Sequence, residues 1–237
     1  IIATERAICA QPGKRAGARR AHPRMLLSVA LATSLNACSW FGGGDSDIAP
    51  PAELVDIAQP AGVDNIWSRD LGAGAGKRYL KLDAGVQDTA IYATDRKGHV
   101  YALEKASGRI LWDSKLKLDI SAGVGVGDGL VLVGNSKGEL IALSKDSGKQ
   151  QWVANLTSEI LARPAVDLGT VVAQTVDGKV FALDAADGRQ LWRQERNEPA
   201  LSLRGTSAPL AVGGIVLTGF ASGRLSAFQL KDGHMLW

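Results

Sequence analysis

Two cysteines and three histidines make up the whole thiol and imidazole complement of this 237-residue chain, and their positions limit its chemistry. Cys9 and Cys38 lie far apart, and His22, His99 and His234 are scattered. None has the close spacing of a zinc-type ligand set, so no structural or catalytic metal is expected. The run Leu71-Gly-Ala-Gly-Ala-Gly-Lys77 has the outline of a phosphate loop. Gly72 and Gly76 are one residue too close for that role, however, and Arg78 stands where Ser or Thr is required. It reads as a flexible inter-strand loop. No Gly-x-Ser-x-Gly nucleophile elbow and no histidine near a candidate nucleophile are expected, so no catalytic residue is assigned. Asp95, Asp128, Asp146 and Asp187 fall in turns, where solvated turn roles account for them.

Cys38 has a context of its own. Met25-Leu-Leu-Ser-Val-Ala-Leu-Ala-Thr-Ser-Leu35 is apolar over the length of a signal-peptide core, follows basic residues and is too short to span a bilayer. It ends in Leu35-Asn36-Ala37-Cys38, which resembles the bacterial lipobox, where the thiol takes a diacylglyceryl group and cleavage leaves that Cys first. Residues 1–37 are accordingly read as an upstream segment and lipoprotein signal peptide. The sequence starts at Ile1 rather than Met, so part of what precedes Met25 is read as translated upstream or non-native sequence. Residues 38–52 are read as the lipidated cysteine with a Gly/Pro-rich tether, and 53–237 as the folded body. Ser39 after the cysteine, rather than Asp, fits sorting to the outer membrane. The expectation is a body held by its lipid on the periplasmic face of that membrane.

The formal charge of +3 invites a nucleic-acid reading, but six of the bases precede Cys38. From Cys38 onward 21 basic and 23 acidic side chains remain, with no basic stripe to follow a phosphate backbone, so no nucleic-acid partner is expected. Hydrophobic residues at 46% support a packed core, and short apolar runs bounded by Gly, Asp, Asn and Ser indicate many strands joined by turns.

Tryptophan reveals how those strands are organised. Gly98-His-Val-Tyr-Ala-Leu…Gly108…Trp112, Gly138-Glu-Leu-Ile-Ala-Leu…Gly148…Trp152, Gly178-Lys-Val-Phe-Ala-Leu…Gly188…Trp192 and Gly223-Arg-Leu-Ser-Ala-Phe…Gly233…Trp237 keep identical spacing from first Gly to Trp. Each unit reads as strand, turn, strand, turn, strand, for example Ala90–Thr94, His99–Lys105 and Arg109–Ser114, with a fourth strand such as Val124–Val126 ahead of the next set. Four antiparallel strands every forty-odd residues are a propeller blade, so the fold class is an all-β propeller with about four blades. Trp112, Trp152, Trp192 and Trp237 are read as structural, each burying against a neighbouring blade beside a small Ala (Ala102, Ala142, Ala182 or Ala227).

The spacing Ala-x-Asp-x-x-x-Gly-x-x-x-Trp, complete at Ala182…Trp192, resembles the tryptophan-docking motif of quinoprotein-type repeats. Those repeats occur in pyrroloquinoline-quinone dehydrogenases and in non-enzymatic relatives, so the motif fixes a fold and not a function. A dehydrogenase would also need a vicinal cysteine pair, an acidic calcium site and a catalytic aspartate, and no Cys falls inside the repeats.

One connection breaks the pattern. Trp112 to Val126 and Trp152 to Val166 are each 14 positions, whereas Trp192 to Ala211 is 19. The longer loop reads Glu198-Pro-Ala-Leu-Ser-Leu-Arg-Gly-Thr-Ser-Ala-Pro209, in which Leu201, Leu203 and Arg204 have the composition of a contact anchor. Alternatively, the leucines fold back on the blade and Arg204 pairs with Glu195 or Glu198.

The segment Ala200-Leu-Ser-Leu-Arg-Gly205 with Ser207-Ala-Pro209, set in Trp-docking repeats behind a lipobox, closely resembles the BamB family, periplasmic lipoproteins of the β-barrel assembly machinery. The resemblance implies an eight-bladed propeller with no cofactor. Its loop, at Leu201, Leu203 and Arg204, would contact a POTRA domain of BamA. Other assembly subunits and unfolded outer-membrane proteins are further implied partners. Eight blades need about 320 residues, so residues 53–237 are expected not to close a ring. The segment Ala52–Trp67 is expected to belong to the final blade and to be an unpaired edge here.

Overall fold

Glycine and aspartate punctuate the body at fixed intervals, and the strands between them are short, apolar and β-branched, which favours hairpins over helices. The computed structural model describes residues 52–53, 55, 62, 64–196 and 205–237. Residues 62–237 form one compact unit; the other, 1–61, falls almost wholly outside the described residues, Cys38 included.

Among the described residues fifteen strands build four antiparallel sheets. The first blade is β1 (Gly85–Gln87), β2 (Ala90–Thr94), β3 (His99–Glu104) and β4 (Ile110–Lys115). The second is β5 (Gly125–Gly127), β6 (Leu130–Gly134), β7 (Glu139–Ser144) and β8 (Gln150–Asn155). The third is β9 (Ala165–Asp167), β10 (Thr170–Gln174), β11 (Lys179–Asp184) and β12 (Gln190–Glu195). The fourth has β13 (Leu210–Val212), β14 (Ile215–Gly219) and β15 (Leu225–Gln229). Its outer position is begun by a Phe228–Met235 bridge, with Leu236 N donating to Ala227 O and Ala227 N to Trp237 O. Each blade is a meander in sequence order, as the repeat spacing predicts.

The core lies between blades. Ala90, Tyr92, Val100 and Ala102 of the first blade pack against Val131, Val133, Ile141 and Leu143 of the second. Leu132, Leu140 and Trp152 meet Val171, Phe181 and Leu183 of the third. Val172, Val180 and Trp192 meet Val216 and Phe228 of the fourth. β6 and β10 are therefore buried along their whole length, whereas β2 alternates between buried and half-buried positions. A strand with a neighbour on both faces loses the period-2 signature of a half-buried one.

The tryptophans lock these interfaces in one direction. Trp112 Nε1 donates to Lys145 O at 2.8 Å, Trp152 Nε1 to Ala185 O at 2.9 Å and Trp192 Nε1 to Leu230 O at 2.7 Å, always in the following blade. Each ring lies flat over the following blade's turn glycine: a Cβ on Gly148 or Gly188 would sit 2.5 Å from the indole. The residue paired opposite each Trp is Ala102, Ala142 or Ala182, and the sheet register slips just after it. A larger side chain there would compete with the indole for the same face.

Two further tryptophans, Trp67 and Trp237, stand at the two ends of the described blades. Trp67, in the segment expected as an unpaired edge, joins no strand pair among the described residues, and its side chain docks on the first blade: its Nε1 donates to Lys105 O at 2.9 Å and its ring covers Gly108. The signal was present, since Trp67 precedes Trp112 by the same 45 positions that separate Trp192 from Trp237. Trp237, expected to bury like the others, is 59% exposed, with no following glycine turn among the described residues to receive it.

Candidate partner-binding surface

The β12–β13 connection spans residues 196–209, against 116–124 and 156–164 for the two corresponding links. Leu201, Leu203 and Arg204 lie outside the described residues, as do all of 197–204. What the structure defines is the platform from which that segment departs and to which it returns.

The outgoing limb is held by Arg196. Its N–H donates to Gly178 O at 3.0 Å, its guanidinium stands 5.9 Å from the Phe228 ring centroid, and one Nη contacts the Met235 sulfur. The returning limb is held by Ser207, whose hydroxyl accepts from Gly219 N at 2.9 Å and donates to Gly219 O at 3.3 Å, closing onto the end of β14. Gly219 O also accepts from Gln174 Nε2 at 3.0 Å, and Gln174 Oε1 accepts from Thr218 Oγ1 at 2.7 Å. Gln174 and Thr218 are buried, so this polar bridge between the third and fourth blades is shielded from water, and a fully satisfied buried network fixes geometry. Beside the returning limb a cavity of about 240 Å³ is bordered by Tyr79, Arg163 and Thr206. Tyr79 is wholly exposed, and the Thr206 hydroxyl is buried without a partner.

Elsewhere the polar side chains serve the hairpins. Asp95, 1% exposed, accepts from Ala73 N at 2.8 Å and from Lys97 N and His99 N at 2.9 Å. Burial pushes its carboxyl up, but those backbone donors and the nearby His99 ring outweigh burial and hold it below the usual aspartate range. The Gly-rich segment at 72–76 is thereby pinned to the first blade, with Arg96 N donating to Gly74 O at 3.0 Å. Asp177 behaves alike: burial raises it, and Lys179, Thr175 and Thr157 bring it down.

The spacing of a nucleophile elbow does occur, at Gly134-Asn-Ser136-Lys-Gly138, against the expectation of none. It forms the β6–β7 hairpin turn, with Asn135 Oδ1 accepting from Lys137 N and Glu139 N, and not the strand-to-helix turn the motif requires. Ser136 and His99 border one open cavity but share no hydrogen bond. Among the described residues no three His, Cys, Asp or Glu side chains are grouped so as to hold a metal ion.

Residues 60–237 match the family described as outer membrane protein assembly factor BamB. The chain belongs to the BamB family. BamB of Pseudomonas aeruginosa is 51% identical over 88% of this chain and 54% of its own length, and BamB of Kangiella koreensis 47% identical over 90% and 54%. This chain thus spans about half the length of the curated BamB relatives it matches. The crystal structure of BamB from Moraxella catarrhalis superposes with a TM-score of 0.60 at 30% identity, over 66% of this chain and 47% of that one. Quinohemoprotein alcohol dehydrogenase from Comamonas testosteroni also superposes, with a TM-score of 0.53 over 68% of this chain and 34% of its own. At 19% identity that likeness shows the shared propeller alone.

Proposed function

We propose that this chain is a non-catalytic scaffold of outer-membrane protein assembly, anchored by a lipid on Cys38 to the periplasmic face of the outer membrane. Its long β12–β13 connection docks a POTRA domain of BamA through Leu201, Leu203 and Arg204, and so helps present unfolded outer-membrane proteins to the insertase. One observation carries the reading. The β12–β13 link, longer than those at 116–124 and 156–164, springs from a platform fixed at both limbs, by Arg196 on one side and by Ser207, Gly219, Gln174 and Thr218 on the other. A link held at both ends presents the side chains between them to a partner at low entropic cost. Membership of a family described as assembly factors supports the same reading.

The test is co-purification of BamA with the full-length protein carrying Leu203→Ala or Arg204→Ala. Truncating such an anchor should cost about 2 kcal/mol, roughly thirtyfold in affinity, with an unchanged melting curve. Undiminished capture of BamA, or loss of folding in both variants, would overturn the loop assignment. Retention of a quinone absorbance band and stoichiometric calcium by the purified protein would overturn the non-catalytic reading.

A further inference from the structure

The repeats act as controls for one another at the end of the blades formed by the β1–β2, β5–β6, β9–β10 and β13–β14 turns. The first residue of these turns takes positive φ: Asp88 at 53°, Asp128 at 47°, Leu168 at 48° and Gly213 at 59°. Asp and Gly tolerate that conformation, whereas a leucine is strained in it. Leu168 is moreover 72% exposed, so the core does not require it.

The groove between the second and third blades is polar, bordered by Asp128, Gln151 and Asp184. Asp128 latches the two blades by accepting from Gly169 N at 2.7 Å. The equivalent groove between the third and fourth blades, an open cavity of about 590 Å³, has Leu168, Leu191, Gln229 and Lys231 at the positions matching Asp128, Gln151, Asp184 and Ala186. The latch survives, because Asp167 one residue earlier accepts from Gly214 N at 3.3 Å. Position 168 is thus released from its structural task and given an apolar side chain in strained backbone. In one repeat step the groove's lining exchanges Asp128 and Asp184 for Leu168 and Gln229, keeps one carboxylate at the latch in Asp167, and gains Leu191 and a lysine, Lys231, with no ion pair among the described residues.

We propose that this groove docks an extended segment of a partner polypeptide in which apolar side chains flank an acidic one. The apolar residues would lie on Leu168 and Leu191, and the Asp or Glu carboxylate would meet Lys231. Charge complementarity selects this occupant: a neutral apolar surface would leave Lys231 unused, and a basic segment would be repelled by it. The site is independent of the loop that follows Arg196.

The test is fluorescence anisotropy of a labelled, end-blocked peptide of alternating Leu and Thr with one central Glu, titrated with the full chain at low salt. Saturable binding is expected, weakened at least tenfold when Glu is replaced by Lys in the peptide. The variant Leu168→Asp restores the residue of the first two blades in a conformation that Asp favours, so it should fold as well as the parent and lose the peptide. Lys231→Ala should lose only the discrimination between the Glu and Lys peptides. The proposal fails if the parent does not bind, if Leu168→Asp binds equally, or if only a peptide with a free C-terminal carboxylate binds. It fails equally if anionic lipid vesicles are retained in place of the peptide, or if Leu168→Asp acts by abolishing self-association. Capture of BamA should be unaffected by Leu168→Asp, which separates this site from the loop.

Discussion

Gly188 and Gly129 share a backbone conformation, φ +75° and +76°, but not a neighbourhood. A Cβ on Gly188 would stand 2.5 Å from the Trp152 ring, whereas a Cβ on Gly129 would meet nothing within 4 Å. Alanine at either position pays the left-handed penalty of about 1–2 kcal/mol. Only Gly188→Ala also lifts a buried indole off its seat. We expect Gly188→Ala to lower Tm by roughly 5–15 °C and Gly129→Ala by roughly 2–8 °C, from the usual relation between stability and Tm for a body of this size. Equal shifts in the two variants would show that the indole contact adds nothing beyond backbone strain.

At the scale of the hairpin, the β2–β3 turn does two tasks through one carboxylate. Asp95 Oδ1 caps the turn by accepting from Lys97 N and His99 N, and Oδ2 reaches Ala73 N in the Gly-rich segment. In the second blade Asn135 performs the first task alone. Asp95→Asn should keep the hairpin and release the segment, at a cost of about 1–3 kcal/mol. Because folding depresses the Asp95 pKa, its contribution is fully present above the unfolded value near 4 and is lost as pH falls through the lower folded value. The parent should therefore lose stability over that acid range, and the Asn variant should lack this loss. Hydrogen exchange at the Ala73 amide, unchanged between the two proteins, would refute the pinning. Much of this level was legible in the sequence, since glycines and tryptophans at fixed spacing mark the turns and outer strands. The inner strands were less so: Val124–Val126 was read where Gly125–Gly127 pairs. Gly-Val-Gly has little strand preference of its own. It is strand because the third blade closes on it, with Pro164 O against Gly125 and Val166 against Gly127. Of the candidate site, loop length and composition were readable, but the platform that holds it was not. Ser207 meets Gly219 only when the fourth blade has folded, and Gln174 joins Thr218 and Gly219 only across the contact between the third and fourth blades.

For the molecule as a whole, the tether and the propeller are separable in the proposed arrangement. Cys38→Ala should shift the protein from the membrane to the soluble fraction, because one lipidated terminus is the anchor, and leave its melting curve unchanged. Membrane retention equal to the parent would contradict the anchor. The Trp-to-Gly lock has a wider consequence. Each blade offers an indole on one side and a glycine seat on the other, so the contact between blades is heterologous, like the head-to-tail contact of a filament subunit. Such a contact contains no instruction to stop: every new blade satisfies one seat and exposes one indole. The number of blades is then a matter of accumulated rotation, settled when the curvature of the stack brings a free seat round to a free indole. Gene duplication can lengthen or shorten a ring of this kind without inventing a new interface.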